Sequence, residues 1–171
     1  MAAAPAQLAS LWSLFHPDAE DGQMSDRKDR RRQIAGQYAH YFETLTLDRA
    51  GDIAALLSED VHFIDPFNDV RGRDQVVRLV EKMFEDVEDP RFDILDLAWT
   101  DELCLMRWDF YCNVKVIGAW HVRGMTELQF NEEGLICAHY DYWDSGRHFY
   151  GRLPVIGPLL RFLTRKARLG S

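Results

Sequence analysis

The hydrophobic pattern of the chain changes its period at Pro90, and this change most constrains the fold. After Pro90, apolar and polar residues alternate, which is the pattern of half-buried β-strands. Short polar turns separate four predicted strands: Arg91–Thr100, Leu103–Asn113, Ala119–Phe130 and Leu135–Trp143. Four strands joined by short turns predict an antiparallel meander in the second half of the chain.

The first half of the chain has helical periodicity instead. A long helix is predicted over Arg30–Leu47, a second short helix begins at Asp48, and a third begins at Gly72. Between the last two, a strand at Val61–Ile64 ends at the Asp65–Pro66 dipeptide, which is a turn signal. Helices followed by an antiparallel meander predict an α+β fold.

We expect one domain at residues 27–146 with an extension at each end, because 171 residues suit a single domain. The segment 1–26 is predicted to be an N-terminal extension, and Pro17–Asp29 is interpreted as a charged linker. The segment 147–171 is predicted to be a basic amphipathic helix. Its apolar residues share one face, and Arg161 and Arg165 share another.

Charge is unevenly distributed along the chain. The net charge is −8, yet the segment from Ser145 to Ser171 carries six cations and no acid, so the rest carries −14. An acidic body argues against general binding to nucleic acid. We expect the basic C-terminal helix to pack on this acidic body, and contact with an anionic membrane surface is the less favoured alternative.

Cys104, Cys112 and Cys137 are an odd number of cysteines without metal-type spacing. They are interpreted as buried free thiols in a reducing compartment, which predicts a cytoplasmic protein. The N-terminus lacks the basic and apolar regions of a signal peptide, and no stretch has the length of a transmembrane helix.

The order of the elements carries a specific resemblance. The segments Tyr41–Glu43, Gly51–Leu57, Val61–Phe67 and Arg71–Gly72 follow one another as first helix, short helix, strand ending in Asp-Pro, and helix start. Over about Arg30 to Asp144 the chain resembles the ketosteroid isomerase and nuclear transport factor 2-like superfamily, including the SnoaL-like polyketide cyclases. The resemblance implies a cone-shaped, curved antiparallel sheet wrapped around the N-terminal helices, with one enclosed apolar pocket.

The resemblance also implies roles for individual residues. Asp65 occupies the place of the proton-shuttling base, and Tyr41 that of the first oxyanion donor. The second donor of the family, a protonated aspartate, falls on Thr126, and here the sequence departs from the family because threonine is not a carboxylic acid. A homodimer is expected through an apolar outer face of the sheet. Its candidate contacts are Val114, Val116, Ile117 and Trp99.

The last predicted strand carries a second set of chemical groups. Strand alternation places His139, Asp141 and Trp143 on one face. The resemblance implies that this face lines the pocket. A carboxylate in an aromatic-walled pocket is expected to have a raised pKa, because burial disfavours its charged form. Further ligand-binding residues are predicted to be Trp108, Thr126, Phe63, Tyr38 and Phe67.

Each of these groups also has a structural interpretation. Asp65 precedes a proline and could cap a turn, Tyr41 lies on the core face of a helix, and His139 with Asp141 could be a buried structural pair. The motif His139-x-Asp141 is also the start of an iron site that needs another histidine. The candidates for it are His62, His121 and His148. A two-residue motif is weak evidence, so neither a metal nor a cofactor is expected.

Two functions remain open at this point. The first is a cofactor-independent acid/base enzyme, an isomerase, cyclase or lyase, acting on an apolar carbonyl compound. Its catalytic residues would be Asp65, Tyr41, His139 and Asp141. The second is a non-catalytic ligand-binding or dimeric adaptor module of the same fold, which the missing second acid favours.

Overall fold

The computed structural model describes residues 17–165, with side chains from residue 24. Its strands are β1 (Leu57–Ile64), β2 (Asp69–Arg71), β3 (Glu88–Trp99), β4 (Leu103–Val114), β5 (Gly118–Phe130) and β6 (Ile136–Tyr142). They form one sheet in the order β2-β1-β6-β5-β4-β3. Neighbouring strands are antiparallel except β1 and β6, which are parallel. The predicted meander is confirmed as β3 to β6.

The helices lie before, within and after the sheet. They are α1 (Pro17–Glu43), α2 (Arg73–Asp86), α3 (Ser145–His148) and α4 (Ile156–Arg165), with 3₁₀ segments at Leu47–Leu56 and Tyr150–Arg152. The α+β class is confirmed, as is the C-terminal helix. Residues 1–16 and 166–171, which include most of the predicted N-terminal extension and the predicted end of the last helix, lie outside the described residues. The domain boundaries stay predictions.

The interpretation of Pro17–Asp29 as a linker is wrong, because α1 already begins at Pro17. Proline suits the first turn of a helix, where its missing N–H costs no hydrogen bond. The segment that follows contains lysine, arginine and glutamine, which are good helix formers even when they are exposed. A helix held by its buried residues further along the chain therefore extends back through this charged segment.

The core lies between the inner face of the sheet and the helices. Tyr38 and Phe42 on α1 and Val76 and Val80 on α2 are buried, and the spacing of four places each pair on one helix face. The helix α2 begins directly after Gly72, whose φ of 91° is in the region that glycine adopts without strain. The sheet and two helices thus enclose the space in which the candidate site lies.

A β-bulge in β3 decides which of its side chains face inward. The register with β4 shifts between Ile94 and Asp96, and one extra residue moves every later side chain to the opposite face. Trp99 therefore faces inward, where its ring stacks on Phe130 and lies beneath the Arg32 guanidinium. The interpretation of Trp99 as an outer-face contact is wrong for this reason.

The outer face of the sheet carries ion pairs rather than an apolar surface. Asp109 on β4 pairs with Arg123 directly opposite on β5, and Arg107 on β4 pairs with Asp96 on β3. An apolar outer face was the reason for expecting a homodimer through this surface. The homodimer stays a prediction, and an interface on these strands would have to include the ion pairs.

The C-terminal helix α4 is attached mainly to the turn that precedes it. Gly157 packs on the backbone of Gly151, and Arg161 donates a hydrogen bond to the Gly151 carbonyl (2.6 Å). The side chains of Leu159 and Leu163 are exposed. This arrangement corrects the expectation that the helix packs on the acidic body.

No helix within residues 17–165 is both long and apolar enough to cross a membrane.

All three cysteines are free, as predicted; Cys104 and Cys112 are buried, and Cys137 is half-buried. Burial raises the pKa of Cys104 and of Cys112 to about 11. These two thiols are therefore protonated and unreactive at neutral pH.

Candidate functional site

A cavity of about 560 Å³ lies between the inner face of the sheet and the helices. Its walls are mostly apolar and rich in aromatic rings, which include Phe42, Phe63, Phe92, Trp108, Trp120 and Trp143. Successive inward-facing residues of a strand are two positions apart, so β4 contributes both Trp108 and Phe110 to the same wall. The volume is typical of a site for a small organic molecule.

Part of this wall is polar. Asp65, Asn68, Thr126, His139 and Asp141 line the cavity together. The predicted alternation on the last strand is correct, since His139, Asp141 and Trp143 all line the cavity. An apolar cavity with a few convergent polar groups is the usual form of a binding or catalytic site.

A chain of hydrogen bonds holds the carboxylate of Asp141. The indole Nε1 of Trp108 donates to Oγ1 of Thr126 (2.8 Å), and Thr126 donates to Oδ1 of Asp141 (2.5 Å). A threonine hydroxyl has one hydrogen, so Thr126 has none left for a ligand. Thr126 therefore positions Asp141 and does not replace the second oxyanion donor of the family.

His139 is 2% exposed and lies between three groups. Its ring stacks on Phe63 with centroids 4.2 Å apart, and its Nδ1 lies 2.8 Å from the Tyr38 hydroxyl. Its Nε2 lies 3.0 Å from Oδ1 of Asp141 but at an angle that makes no hydrogen bond. A buried polar atom without a hydrogen bond is costly, and a ligand in the cavity could supply the missing partner.

Tyr38 determines which nitrogen of His139 carries the hydrogen. Its hydroxyl is fully buried, and among the described residues its partner is Nδ1 of His139. Burial, together with the charge of Asp141, raises the pKa of Tyr38, so the phenol keeps its hydrogen. It satisfies that hydrogen by donating to Nδ1, which places the hydrogen of the neutral imidazole on Nε2. The group beside Asp141 is therefore a donor.

Asp65 both forms a turn and lines the cavity. Its Oδ1 accepts hydrogen bonds from the backbone N–H groups of Phe67 (2.7 Å) and Asn68 (2.7 Å), and Nδ2 of Asn68 bonds both carboxylate oxygens (3.0 Å each). Burial raises the pKa of Asp65 despite these hydrogen bonds, and the negative charge of Asp141 adds to the rise. Both sequence interpretations of Asp65, turn residue and cavity residue, fit the structure.

Gly124 makes room for the ring of Trp108. The two residues are opposite each other in β4 and β5, and a Cβ on Gly124 would overlap the indole. A larger residue would displace the ring and the Nε1 that donates to Thr126. Gly124 is therefore a positioning residue that sequence reasoning missed, although a glycine inside a predicted strand was the available signal.

The two tyrosines of α1 are not where the sequence predicted. The hydroxyl of Tyr41 donates to the Ala50 carbonyl (2.9 Å), and Tyr41 does not line the cavity, so its placement as an oxyanion donor there is wrong. Tyr38 lies behind His139 and does not line the cavity either, contrary to its prediction as a ligand contact. Tyr38 and Tyr41 are three positions apart, so their side chains point in directions about 60° apart around the helix axis. The number of residues between them and Asp65 does not show which of the two faces the cavity.

The exposed edge of the cavity is formed by residues that the sequence did not single out. Phe149 and Tyr150 reach it from the C-terminal segment, and Lys82 and Asp86 reach it from α2, where they form an ion pair (2.9 Å). Phe67 lies among them, with its ring centroid 5.0 Å from that of Phe149. The adjacent aromatic residues Phe149 and Tyr150, which directly follow α3, are the available signal, but they lie in the segment that the sequence assigned to the C-terminal helix.

Within the residues that the structure describes, no group of three histidine, cysteine or acidic side chains is arranged to hold a metal ion. Two of the histidines considered for an iron site have other partners: His62 contacts Asp69 (2.7 Å), and His121 contacts Asp109 (2.9 Å). The pair His139 and Asp141 therefore has no second histidine beside it in this part of the chain.

The curved sheet closed by helices around an aromatic cavity is a ketosteroid isomerase-like, or nuclear transport factor 2-like, fold. The family model of the SnoaL-like domain matches residues 38–139, which is more than half of the chain. The chain belongs to the SnoaL-like domain family. No curated protein sequence matches it.

Solved structures share the fold at low sequence identity. A hypothetical protein of Catenulispora acidiphila with a ketosteroid isomerase-like fold, in complex with trimethylamine, is 15% identical with a TM-score of 0.60, and the match covers 70% of this chain and 91% of that chain. An LEH-like epoxide hydrolase of M. tuberculosis is 14% identical (TM-score 0.58, coverage 80% and 97%). A SnoaL-like polyketide cyclase candidate of Shewanella putrefaciens is also 14% identical (TM-score 0.58, coverage 71% and 94%).

Proposed function

We propose that this protein is a cofactor-independent acid/base enzyme acting on an apolar carbonyl compound. The observation that carries the proposal is the buried Nε2 of His139, which lies in the cavity wall 3.0 Å from Asp141 and has no hydrogen bond to any residue that the structure describes. A buried donor in a cavity wall is suited to stabilising a negative oxygen that forms during a reaction.

In this proposal Asp65 is the base. Its raised pKa increases its proton affinity, and Oδ2 is its less engaged oxygen, with one hydrogen bond against three on Oδ1. Oδ2 would take a proton from the carbon next to the carbonyl, while Nε2–H of His139 donates to the resulting enolate oxygen. Return of the same proton to another carbon would complete an isomerisation, with no net gain or loss of atoms.

Asp141 would assist this step through its negative charge, which adds to the raised pKa of Asp65 and so increases the proton affinity of the base. Thr126 and Trp108 hold its Oδ1, so its other oxygen can face a substrate. The solved structures named above include an LEH-like epoxide hydrolase and a candidate SnoaL-like polyketide cyclase, so enzymes are among the proteins that share this fold. At their level of identity they support the fold, and the reaction rests on the geometry of this site.

Deuterium exchange tests the proposal without requiring the natural substrate. A panel of apolar ketones is incubated with the protein in D₂O, and mass spectrometry measures deuterium uptake next to the carbonyl. We expect uptake by the wild-type protein that falls about 100-fold or more in Asp65→Asn. Because the base must be deprotonated, uptake should also fall as the pH drops below the raised pKa of Asp65. Absence of uptake across the panel, or uptake unchanged in Asp65→Asn, would overturn the proposal.

A second candidate function is a non-catalytic module that binds a cationic amine. Asp65 and Asp141 share an aromatic cavity in which the lining cation, Lys82, is exposed and paired with Asp86. Aromatic faces and carboxylates both attract an organic cation. The trimethylamine complex of the Catenulispora acidiphila protein supports this candidate.

Calorimetric titration with trimethylamine separates the two candidates. The binding module predicts saturable binding that is lost in Asp141→Asn, without deuterium uptake by any ketone. The enzyme hypothesis predicts deuterium uptake by a ketone whether or not the amine binds.

For both candidate functions we propose a cytoplasmic location, which the three free thiols support.

A further inference from the structure

The C-terminal helix α4 presents an apolar surface to solvent along its length. Leu159 and Leu163 are 59% and 55% exposed, and Ile156 at the start of the helix is 43% exposed. These residues are three, four and seven positions apart, so they share one face. An exposed apolar face on a helix is usually an interaction surface, because leaving it in water is unfavourable.

The attachment of α4 fixes this face outward. The helix contacts the protein through its opposite edge, where Gly157 packs on the backbone of Gly151 and Arg161 bonds the Gly151 carbonyl. A Cβ on Gly157 would collide with that carbonyl oxygen. The small residue and the arginine therefore form a joint that holds the polar edge against the protein and turns the leucines away from it.

The charge of this segment has one sign. From Ser145 to Ser171 the chain has six cations and no acid, and Arg165 makes no ion pair within the described residues. A helix with leucines on one face and arginines on the other is the arrangement that lies in a membrane interface, with apolar groups in the acyl region and cations among anionic headgroups.

A second copy of the chain fits this face less well. On the sheet, the exposed side chains of Met125 and Tyr142 lie opposite each other on β5 and β6. The neighbour of Met125 on β4 is Arg107, which is charged and paired with Asp96, so this surface is not a purely apolar match for α4. Protein interfaces bury a contiguous apolar centre on both sides. The apolar face and the single sign of charge together favour a lipid surface.

We propose that α4 docks this protein on an anionic lipid bilayer, lying in the plane of the interface with Ile156, Leu159 and Leu163 in the acyl region. The two contributions, apolar burial and attraction of cations to anionic headgroups, act together, because neither alone gives stable surface binding. This proposal does not depend on the reaction in the cavity.

Vesicle flotation tests the proposal with the full chain. The probes are phosphatidylcholine vesicles with and without about one-third phosphatidylglycerol, at low and high salt. The wild-type protein should float with the anionic vesicles and bind more weakly at high salt. The double variant Leu159→Glu/Leu163→Glu should bind the anionic vesicles at least about tenfold more weakly than the wild type, because both substitutions place a negative charge in the interface.

Leu47→Glu is the matched control, since Leu47 is 57% exposed but lies in the first 3₁₀ segment. It should leave flotation unchanged. Failure of the wild-type protein to float at low salt would overturn the proposal, as would equal effects of the double variant and Leu47→Glu. Light scattering provides a further criterion: a dimer that the double variant dissociates, without vesicle binding by the wild type, would assign the face to a second copy.

Discussion

Two aspartate–histidine pairs of the sheet, His121 with Asp109 on the outer face and His139 with Asp141 on the inner face, differ in how their charge is balanced. On the outer face, Asp109 accepts hydrogen bonds from Nε2 of His121 (2.9 Å) and from Nε and Nη2 of Arg123 (2.9 and 2.7 Å). These bonds, with Arg123 contributing most, lower the pKa of Asp109 to about 2. On the inner face, Asp141 accepts a hydrogen bond from Thr126 and lies beside His139, and within residues 17–165 it forms no ion pair with an arginine or lysine.

The partner of each carboxylate therefore distinguishes a pair that only stabilises the fold from a pair that can take part in a reaction. Asp109 has a cation and its hydrogen bonds are satisfied, so it stabilises the strand pairing and has no reason to exchange a proton. Asp141 lies on a cavity wall beside a donor that lacks a hydrogen bond. A ligand can complete the inner pair, whereas the outer pair is already complete.

The largest expected difference between the two faces is in reactivity. Asp141→Asn should lower deuterium uptake into a ketone substrate by about tenfold, because it removes a negative charge that raises the pKa, and so the proton affinity, of Asp65. Asp109→Asn, on the outer face, should leave uptake per folded molecule unchanged. Mass spectrometry of the ketone measures both, and equal losses in the two variants would remove the functional distinction.

Packing behind the inner pair should be sensitive to a single methyl group. Gly124→Ala should lower the free energy of unfolding by about 1–3 kcal/mol, because the added Cβ overlaps the Trp108 ring. Gly51→Ala is the control, since a Cβ at Gly51 meets nothing within 4 Å. Urea denaturation measures both free energies. A loss in Gly124→Ala no larger than that in Gly51→Ala would contradict the positioning role of Gly124.

Asp109 and Asp65 should change the stability in opposite directions as the pH changes. The pKa of Asp109 is lower in the folded state, so its contribution is present above the unfolded value of about 3.9 and is lost as the pH falls toward about 2. The pKa of Asp65 is higher in the folded state, so its contribution is present below the unfolded value and is lost as the pH rises through the folded value.

The measurement is urea denaturation of the wild type, Asp109→Asn and Asp65→Asn across the acidic range. The wild-type advantage over Asp109→Asn should be about 1 kcal/mol at neutral pH, because solvent screens the exposed Arg123 and His121, and it should shrink in acid. The difference in unfolding free energy between the wild type and Asp65→Asn should change with pH in the opposite direction. Slopes of the same sign would show that the two carboxylates do not differ in environment.

The smallest expected effect is on the imidazole of His139. In Tyr38→Phe the ring loses the donor at Nδ1, so the ¹⁵N chemical shifts of Nδ1 and Nε2 should change. Tyr41→Phe is the matched control, because its hydroxyl bonds the Ala50 carbonyl and not the histidine. Wild-type shifts that place the hydrogen on Nδ1 would contradict the assigned arrangement, as would a Tyr38→Phe spectrum unchanged from wild type.

Much of the fold was predictable because period and turn chemistry are local properties. The meander, the strand ending at Asp65–Pro66 and the α2 start after Gly72 all follow from short stretches of sequence. The side of the last strand that carries His139 and Asp141 was also predictable, because side chains alternate strictly along a strand. The start of α1 was not, because a charged exposed segment has no apolar period to mark it as helical.

The sequence by itself therefore determined the order of the elements, the acidic and histidine groups of the cavity, and the amphipathic character of the C-terminal helix. Only the tertiary structure decided that Tyr38 rather than Tyr41 meets His139, that a bulge turns Trp99 inward, and that the leucines of α4 face solvent. These outcomes depend on helical phase, strand register and contacts between residues far apart in the chain, which no local pattern specifies.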